Sequence, residues 1–299
     1  MIIETVNLTK LYNGRPGCQD ICLSVAEGQV FGFLGPNGAG KSTVVKTLLG
    51  LISPTSGQAW VMGKPVGHRE ARQKIGFLPE NFRFQEWLSG RELLEFHAAL
   101  YGLGVRERRP RIDYVLELVN LRGREEERIK GYSKGMQQRI GLASALLADP
   151  TLVFLDEPTS ALDPLGRKEV RDIIKNLNSE GKTVFLNSHL LSEVEMTCNE
   201  VAFIKKGRIV DSGPISEFLT GSLRVTLRFE GGAQIMEALS QIAEEIISVL
   251  GKVQATIKSE AQIPLLAAAV IENGGCLYEL SPETVSLEDI FMEMMGECG

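Results

Sequence analysis

Nine consecutive residues, Gly35-Pro-Asn-Gly-Ala-Gly-Lys-Ser-Thr43, restrict what this chain can fold into more than any other stretch. Before them Gln29–Leu34 reads as an apolar strand, and Lys41–Gly50 resumes apolar positions at helical spacing. The run fits G-x-x-x-x-G-K-[ST], with Gly35, Gly40, Lys41 and Ser42 in the fixed places. Glycines here let successive backbone N–H groups converge into an anion nest, and the following helix adds its positive end. Lys41 supplies a point charge to outer phosphates, and Ser42 offers a hydroxyl to Mg²⁺. A plain glycine turn before a helix is the simpler alternative. The Lys-Ser pair and both flanks decide for a loop built from Gly35, Pro36, Asn37, Gly38, Ala39, Gly40, Lys41, Ser42 and Thr43 to cradle Mg-ATP.

A phosphate loop needs a sheet beneath it, and the rest of the chain supplies one. Ile2–Leu8, Ile21–Val25, Ala59–Met62, Lys74–Leu78, Leu152–Leu155, Thr183–Leu186 and Val201–Ile204 all read as strands, with a helix over Gly166–Ser179. Such alternation implies a largely parallel sheet wrapped by helices, an α/β fold. Between about Phe82 and Pro150 the apolar spacing becomes helical (Leu93, Leu94, Phe96, Leu100; Ile112, Val115, Leu116, Val119), which predicts a helical insertion. The chain has 299 residues, enough for about two domains. Residues 1–220 form the first, and 221–299 restart as a small α+β domain. In the latter, Leu223–Phe229, Lys252–Ile257 and Cys276–Leu280 read as strands and Ile235–Leu250 as a helix. Ser286 and Asp289 have the spacing of a capping box for a last helix.

Two carboxylates add chemistry to the loop. In Thr151-Leu-Val-Phe-Leu-Asp156-Glu157 an apolar strand ends in acids, at the carboxyl edge where α/β sheets bind ligands. Asp156 suits a magnesium ligand, and Glu157 suits polarisation of an attacking water. Read alone, such a pair is more often a helix cap; beside a phosphate loop the catalytic role is preferred.

The segment between these elements, Tyr132-Ser-Lys-Gly-Met-Gln-Gln-Arg139, resembles the signature of ATP-binding-cassette (ABC) ATPases. Ser133, Gly135 and Gln137 match that pattern, while Lys134 and Met136 depart from its commonest form. Ser160-Ala-Leu-Asp163 resembles the family's D-loop. His189 stands after the strand Thr183–Leu186, where the family has a switch histidine. The resemblance covers residues 1 to about 220, in the family's order. It implies a P-loop ABC cassette in which Tyr12 stacks on adenine and His189 contacts the γ-phosphate. Ser133, Gly135 and Gln137 would meet the ATP held by a second cassette, in a homodimer or heterodimer. Glu80 lies where many members carry glutamine; it keeps an oxygen for Mg²⁺ but adds charge.

Composition bears on the partner. The chain carries 32 basic and 38 acidic residues, net −6, so no nucleic acid partner is expected. Arg106–Arg111 is the best candidate for a local basic patch, and it reads better as a solvated loop between helices. The five cysteines contain no C-x-x-C pair, which fits a reducing cytoplasm. No leader is visible at the start, and the longest apolar run, about Leu265–Ile271, is far short of the ~20 residues of a membrane helix. Membrane crossing would therefore fall to a separate polytopic permease subunit, with this chain peripheral on the cytoplasmic face. The ending Ser286-Leu-Glu-Asp-Ile-Phe291 and the appendage resemble ATP-binding subunits of export systems. Nutrient importers are the nearest competitor, and a soluble ABC ATPase of translation or DNA repair is the alternative.

Overall fold

The computed structural model describes residues 1–160, 162–219, 223–249, 251–284 and 286–296. In chain order the elements are β1 (Ile3–Tyr12), β2 (Arg15–Val25), β3 (Val30–Leu34), α1 (Lys41–Leu48), β4 (Ser56–Val61) and β5 (Lys64–Pro65). Then come α2 (Arg69–Arg72), β6 (Ile75–Leu78), α3 (Gly90–Leu100), α4 (Val105–Leu118), α5 (Lys134–Leu146) and β7 (Leu152–Asp156). Next are α6 (Pro164–Ser179), β8 (Thr183–Ser188), α7 (Leu191–Thr197), β9 (Glu200–Lys205) and β10 (Arg208–Pro214). The last are α8 (Ile215–Leu219), β11 (Leu223–Glu230), α9 (Ala233–Ser240), β12 (Glu245–Val249), β13 (Lys252–Ile257), α10 (Ile263–Glu272), β14 (Cys276–Thr284) and α11 (Leu287–Met295). The chain divides into two compact units, Met1–Gly213 and Pro214–Gly299. The expected domain boundary at 220/221 lies outside the described residues.

In the first unit six strands run in the order β10-β9-β3-β8-β7-β6, and β9-β3-β8-β7-β6 are mutually parallel. Every residue of β3, β7 and β8 is buried, as strands covered on both faces must be. That burial explains their unbroken apolar runs. Phe185 anchors the centre, with its ring centroid 5.4 Å from Phe31, 5.5 Å from Phe33 and 5.2 Å from Phe154. A second, antiparallel sheet, β2-β1-β4-β5, packs its apolar face around Ile3, Leu8, Ile21 and Val61.

The helical insertion is α3 to α5. Ser89 opens α3 with a capping box, its hydroxyl accepting from the Glu92 N–H and the Glu92 carboxylate accepting from the Ser89 N–H. Arg91 then ties the insertion together through Asp113 at 3.0 Å, Glu125 at 3.2 Å and Glu126 at 2.8 Å. The helix after β7 starts earlier than its apolar spacing indicates. Asp163 accepts from the Gly166 N–H and Pro164 takes the first helical position, two signals for a start there.

The second unit orders its strands β12-β13-β11-β14, all antiparallel, with chain order βαββαβ. This is the split βαβ, ferredoxin-like arrangement. The helix expected over Ile235–Leu250 is corrected: it ends at Ser240, and Glu245–Val249 is a strand paired with β13. Ile246, Ile247 and Val249 are β-branched, and Gly251 at φ +80° allows a tight return to Lys252, so hairpin pairing outweighs the helical spacing. The apolar run near Leu265 is α10, which closes the core with Leu266 and Val270 against Val225, Leu227 and Ile257. Ser286 and Asp289 cap α11 by exchanging backbone hydrogen bonds at 3.2 Å and 3.0 Å.

Candidate active site

β3 delivers the phosphate loop, and two of the loop's glycines, Gly35 and Gly40, answer to close backbone neighbours. A Cβ on Gly35 would lie 2.3 Å from the Ile204 carbonyl oxygen. Gly40, at φ +106°, would place one 2.3 Å from the Gly17 carbonyl oxygen. The loop is pinned by the Ala39 N–H on the Pro36 carbonyl at 3.1 Å and by the Gly207 N–H on the Ala39 carbonyl at 2.8 Å. Lys41 follows as the first residue of α1, only 7% exposed, and its ammonium donates to the Gly35 carbonyl at 2.6 Å. Burial pulls its pKa down, while the charges of Glu157, Asp156 and Glu80 pull it back up.

β7 delivers the two acids. Asp156 ends the strand; Glu157 leaves it at φ +53°, a left-handed conformation unusual for glutamate. The Glu157 N–H donates to the Asn187 carbonyl at 2.8 Å, and its Oε2 lies 2.7 Å from His189 Nδ1. Asn187, the last residue but one of β8, donates its side-chain N–H to Asp156 Oδ1. Burial raises the Asp156 pKa; the Asn187 hydrogen bond and Lys41 oppose that, and Glu80 and Glu157 add to it.

These groups face one cavity of about 520 Å³. Its walls include Tyr12, the whole run Pro36–Thr43, Glu80, Asp156, Glu157 and His189. Tyr12 is half-exposed, with the Lys10 ammonium 5.5 Å from its ring centroid. Pro16, Gly17 and Asn187 also line the cavity and lie outside the sequence motifs. For Asn187 a signal existed: it is an amide directly after the apolar run Val184–Leu186, two residues before His189. Gly17 had none, because its place is set by the approach of Gly40.

The signature residues stand elsewhere. Ser133, Gly135 and Gln137 do not line this cavity. Ser133 caps α5, its hydroxyl accepting from the Met136 N–H at 3.2 Å, and Gln137 donates to the Tyr132 carbonyl at 3.3 Å. A Cβ on Gly135 would meet nothing nearer than 3.9 Å. In the D-loop, Ser160 donates to the Glu157 carbonyl at 3.2 Å; Ala161 lies outside the described residues.

Strand, glycine loop and helix beside buried acids at the end of a parallel strand define a P-loop ATPase. The helical insertion between the two elements, ending in the signature helix α5, makes it one of the cassette type. A family model described as "ABC transporter" matches residues 18–160. The bacitracin transport ATP-binding protein of Bacillus licheniformis is 35% identical, over 99% of this chain and 97% of that protein. The Nod factor export ATP-binding protein I of Cupriavidus metallidurans is 32% identical over the same shares of each, 99% and 97%. A dimeric ATP-binding cassette solved in a post-hydrolysis state with ADP and Pi superimposes with a TM-score of 0.65. That match has 26% identity and covers 71% of this chain and 98% of that one. The chain belongs to the family of ABC transporter ATP-binding proteins and is an ATPase.

Proposed function

We propose that this subunit drives export through a separate polytopic membrane permease, working as a pair of cassettes on the cytoplasmic face of the membrane. The observation that carries the catalytic part is the single cavity uniting the phosphate loop, Asp156, Glu157 and His189. In it Lys41 and the loop N–H groups Gly38–Thr43 hold the phosphates, and Tyr12 stacks on adenine. Glu157 polarises the attacking water, and His189, hydrogen-bonded to Glu157, orients water and γ-phosphate.

Ser42, Glu80 and Asp156 offer hard oxygen donors around the cavity, and a buried Asn187 oxygen beside them has no partner among the described residues. That donor set fits Mg²⁺, which is typically held by one or two carboxylates together with substrate phosphates. Among the described residues no group of three or more His, Cys, Asp or Glu could hold a metal without the nucleotide. When bound, the ion would neutralise charge on the phosphates.

Ser133, Gly135 and Gln137 act on the ATP of the second cassette, and the open space at Gly135 supports a ligand that approaches from outside the chain. The permease has a surface to meet: Trp87 is 70% exposed and Leu100 70%, with Phe96 and Tyr101 about half-exposed, on the insertion that follows Glu80. No helix among the described residues is long and apolar enough to cross a membrane. Export rather than import is supported by the Nod factor export and bacitracin transport relatives.

The test is Glu157→Gln in the purified chain. Turnover should fall by roughly 10²–10⁴ while MgATP binding persists and a nucleotide-bound dimer accumulates in size-exclusion chromatography. Hydrolysis at the wild-type rate in this variant would remove Glu157 from its role. Isolation of the chain from detergent-solubilised membranes should bring down a polytopic protein in near-equal amount. Ribosomal or repair proteins in its place would refute the transport role and leave the ATPase chemistry standing.

A further inference from the structure

We infer that Asn187 is a positioning residue for the magnesium ligand Asp156, and that its free carbonyl oxygen accepts a hydrogen bond from water carried by the ion. The inference rests on the assignment of Asp156 proposed above.

All of β8 is buried, and Asn187 is 1% exposed, flanked by Leu186 and Ser188. The parallel register sets its Cα directly against that of Asp156. From there one residue serves both acids. Its side-chain N–H donates to Asp156 Oδ1, and its backbone carbonyl takes the Glu157 N–H at 2.8 Å. The amide can face Asp156 only one way round, because its oxygen against a carboxylate would bring two acceptors together.

That orientation leaves Asn187 Oδ1 buried and without a hydrogen-bond partner among the described residues. Buried acceptors are seldom left so, because desolvation without a partner is costly. Asn187 lines the phosphate cavity with Asp156, Glu157 and Glu80, carboxylates that accept when ionised, and with Lys41, whose ammonium already donates to the Gly35 carbonyl at 2.6 Å. A donor that suits Oδ1 is a water O–H brought in with the ligand. Water polarised by a divalent cation is such a donor. Leucine or valine would fill β8 as well but could neither aim Asp156 nor bind that water. Partners of this kind fix a ligand's orientation, and their loss typically costs 10–100-fold in metal affinity.

The experiment uses the full chain with Mn²⁺ as the spectroscopic probe. Free Mn²⁺ is followed by electron paramagnetic resonance at saturating nucleotide, and nucleotide binding is measured separately in EDTA. Asn187→Ala should weaken Mn²⁺ binding by about tenfold or more, with metal-free nucleotide affinity within about twofold of wild type. Unchanged Mn²⁺ affinity, or equal loss of nucleotide binding with and without metal, would assign Asn187 to packing alone and overturn the inference. If the alanine variant does not fold, Asn187→Leu keeps the volume but has neither donor nor acceptor. The same direction of Mn²⁺ loss is expected, and wild-type Mn²⁺ affinity there overturns the inference equally. A wild-type chain that bound no nucleotide at all would instead overturn the phosphate-loop assignment itself.

Discussion

The phosphate loop and the signature segment both place glycine at the start of a helix, yet the two glycines answer to different neighbours. Gly40 is required by its own chain: φ is +106° and the Gly17 carbonyl oxygen occupies the space of a side chain. Gly135 has no such requirement, with 3.9 Å of clearance and no positive φ. One glycine is a folding residue. The other is not required by its own fold, which accords with the contact to a second cassette's ATP proposed for it. The same contrast separates Lys41, buried and bonded to its own loop, from Ser133, whose hydroxyl is exposed at a helix cap. In the proposed site, the loop side is built by its own chain and the signature side serves the ATP of a second cassette.

The largest effect that could break this contrast belongs to Lys41→Ala. Loss of the buried ammonium should weaken MgATP binding by roughly 10²-fold or more, as read by equilibrium titration. Tight binding in that variant would dissolve the distinction, since the loop side would then not be the binding side. Mixing it with Gly135→Ala should restore part of the turnover, because one of the two composite sites in the mixed dimer is intact. No recovery on mixing would argue that each chain works alone.

The glycines themselves give a smaller and sharper comparison. Gly40→Ala should destabilise the cassette by more than about 1 kcal/mol in denaturant unfolding. Gly135→Ala should leave it unchanged or more stable by about 0.5 kcal/mol, alanine being the better helix residue. Turnover should nevertheless fall in both. If Gly135→Ala unfolds the chain as Gly40→Ala does, the difference between the two sides is lost.

Asp149 sets the smallest effect. Arg111 donates to the Leu146 and Leu147 carbonyls at the rear of α5, and Asp149 joins Arg111 to Lys182. The Lys182 ammonium, with help from Arg111, holds the Asp149 carboxyl below its ordinary pKa against the effect of burial. A lowered carboxylate pKa stabilises the fold fully above the unfolded value, ~3.9, and the gain is lost as pH falls through the lower folded value. Asp149 is largely exposed, so Asp149→Asn should cost only about 0.2–1 kcal/mol at pH 7. That difference from wild type should vanish in acid. A pH-independent difference would assign the effect to something other than the ion pair.

What the sequence disclosed follows the same local-against-distant line. The phosphate loop was legible because its glycines, lysine and serine are contiguous, and Asp156–Glu157 because the acids end an apolar run. Asn187 was not legible as a partner of Asp156. The two lie 31 residues apart and meet only through strand register. The C-terminal unit shows the other limit. Spacing alone made Ile235–Leu250 helical, and only pairing with β13 decides that Glu245–Val249 is extended. The capping box at Ser286 was readable because both its partners sit in four residues.

The parallel register of β7 with β8 has one more consequence. Successive side chains of a strand point to opposite faces, so a slip of a single residue would turn Asn187 away from Asp156 and offer leucine or serine in its place. The aromatic cluster around Phe185 resists that slip, since Phe154 and Phe185 are register partners as well as packing partners. A greasy layer beneath the site thus acts as its alignment gauge. Mutations in that layer should show as enzymes that fold and bind nucleotide but turn over poorly, long before they show as chains that fail to fold.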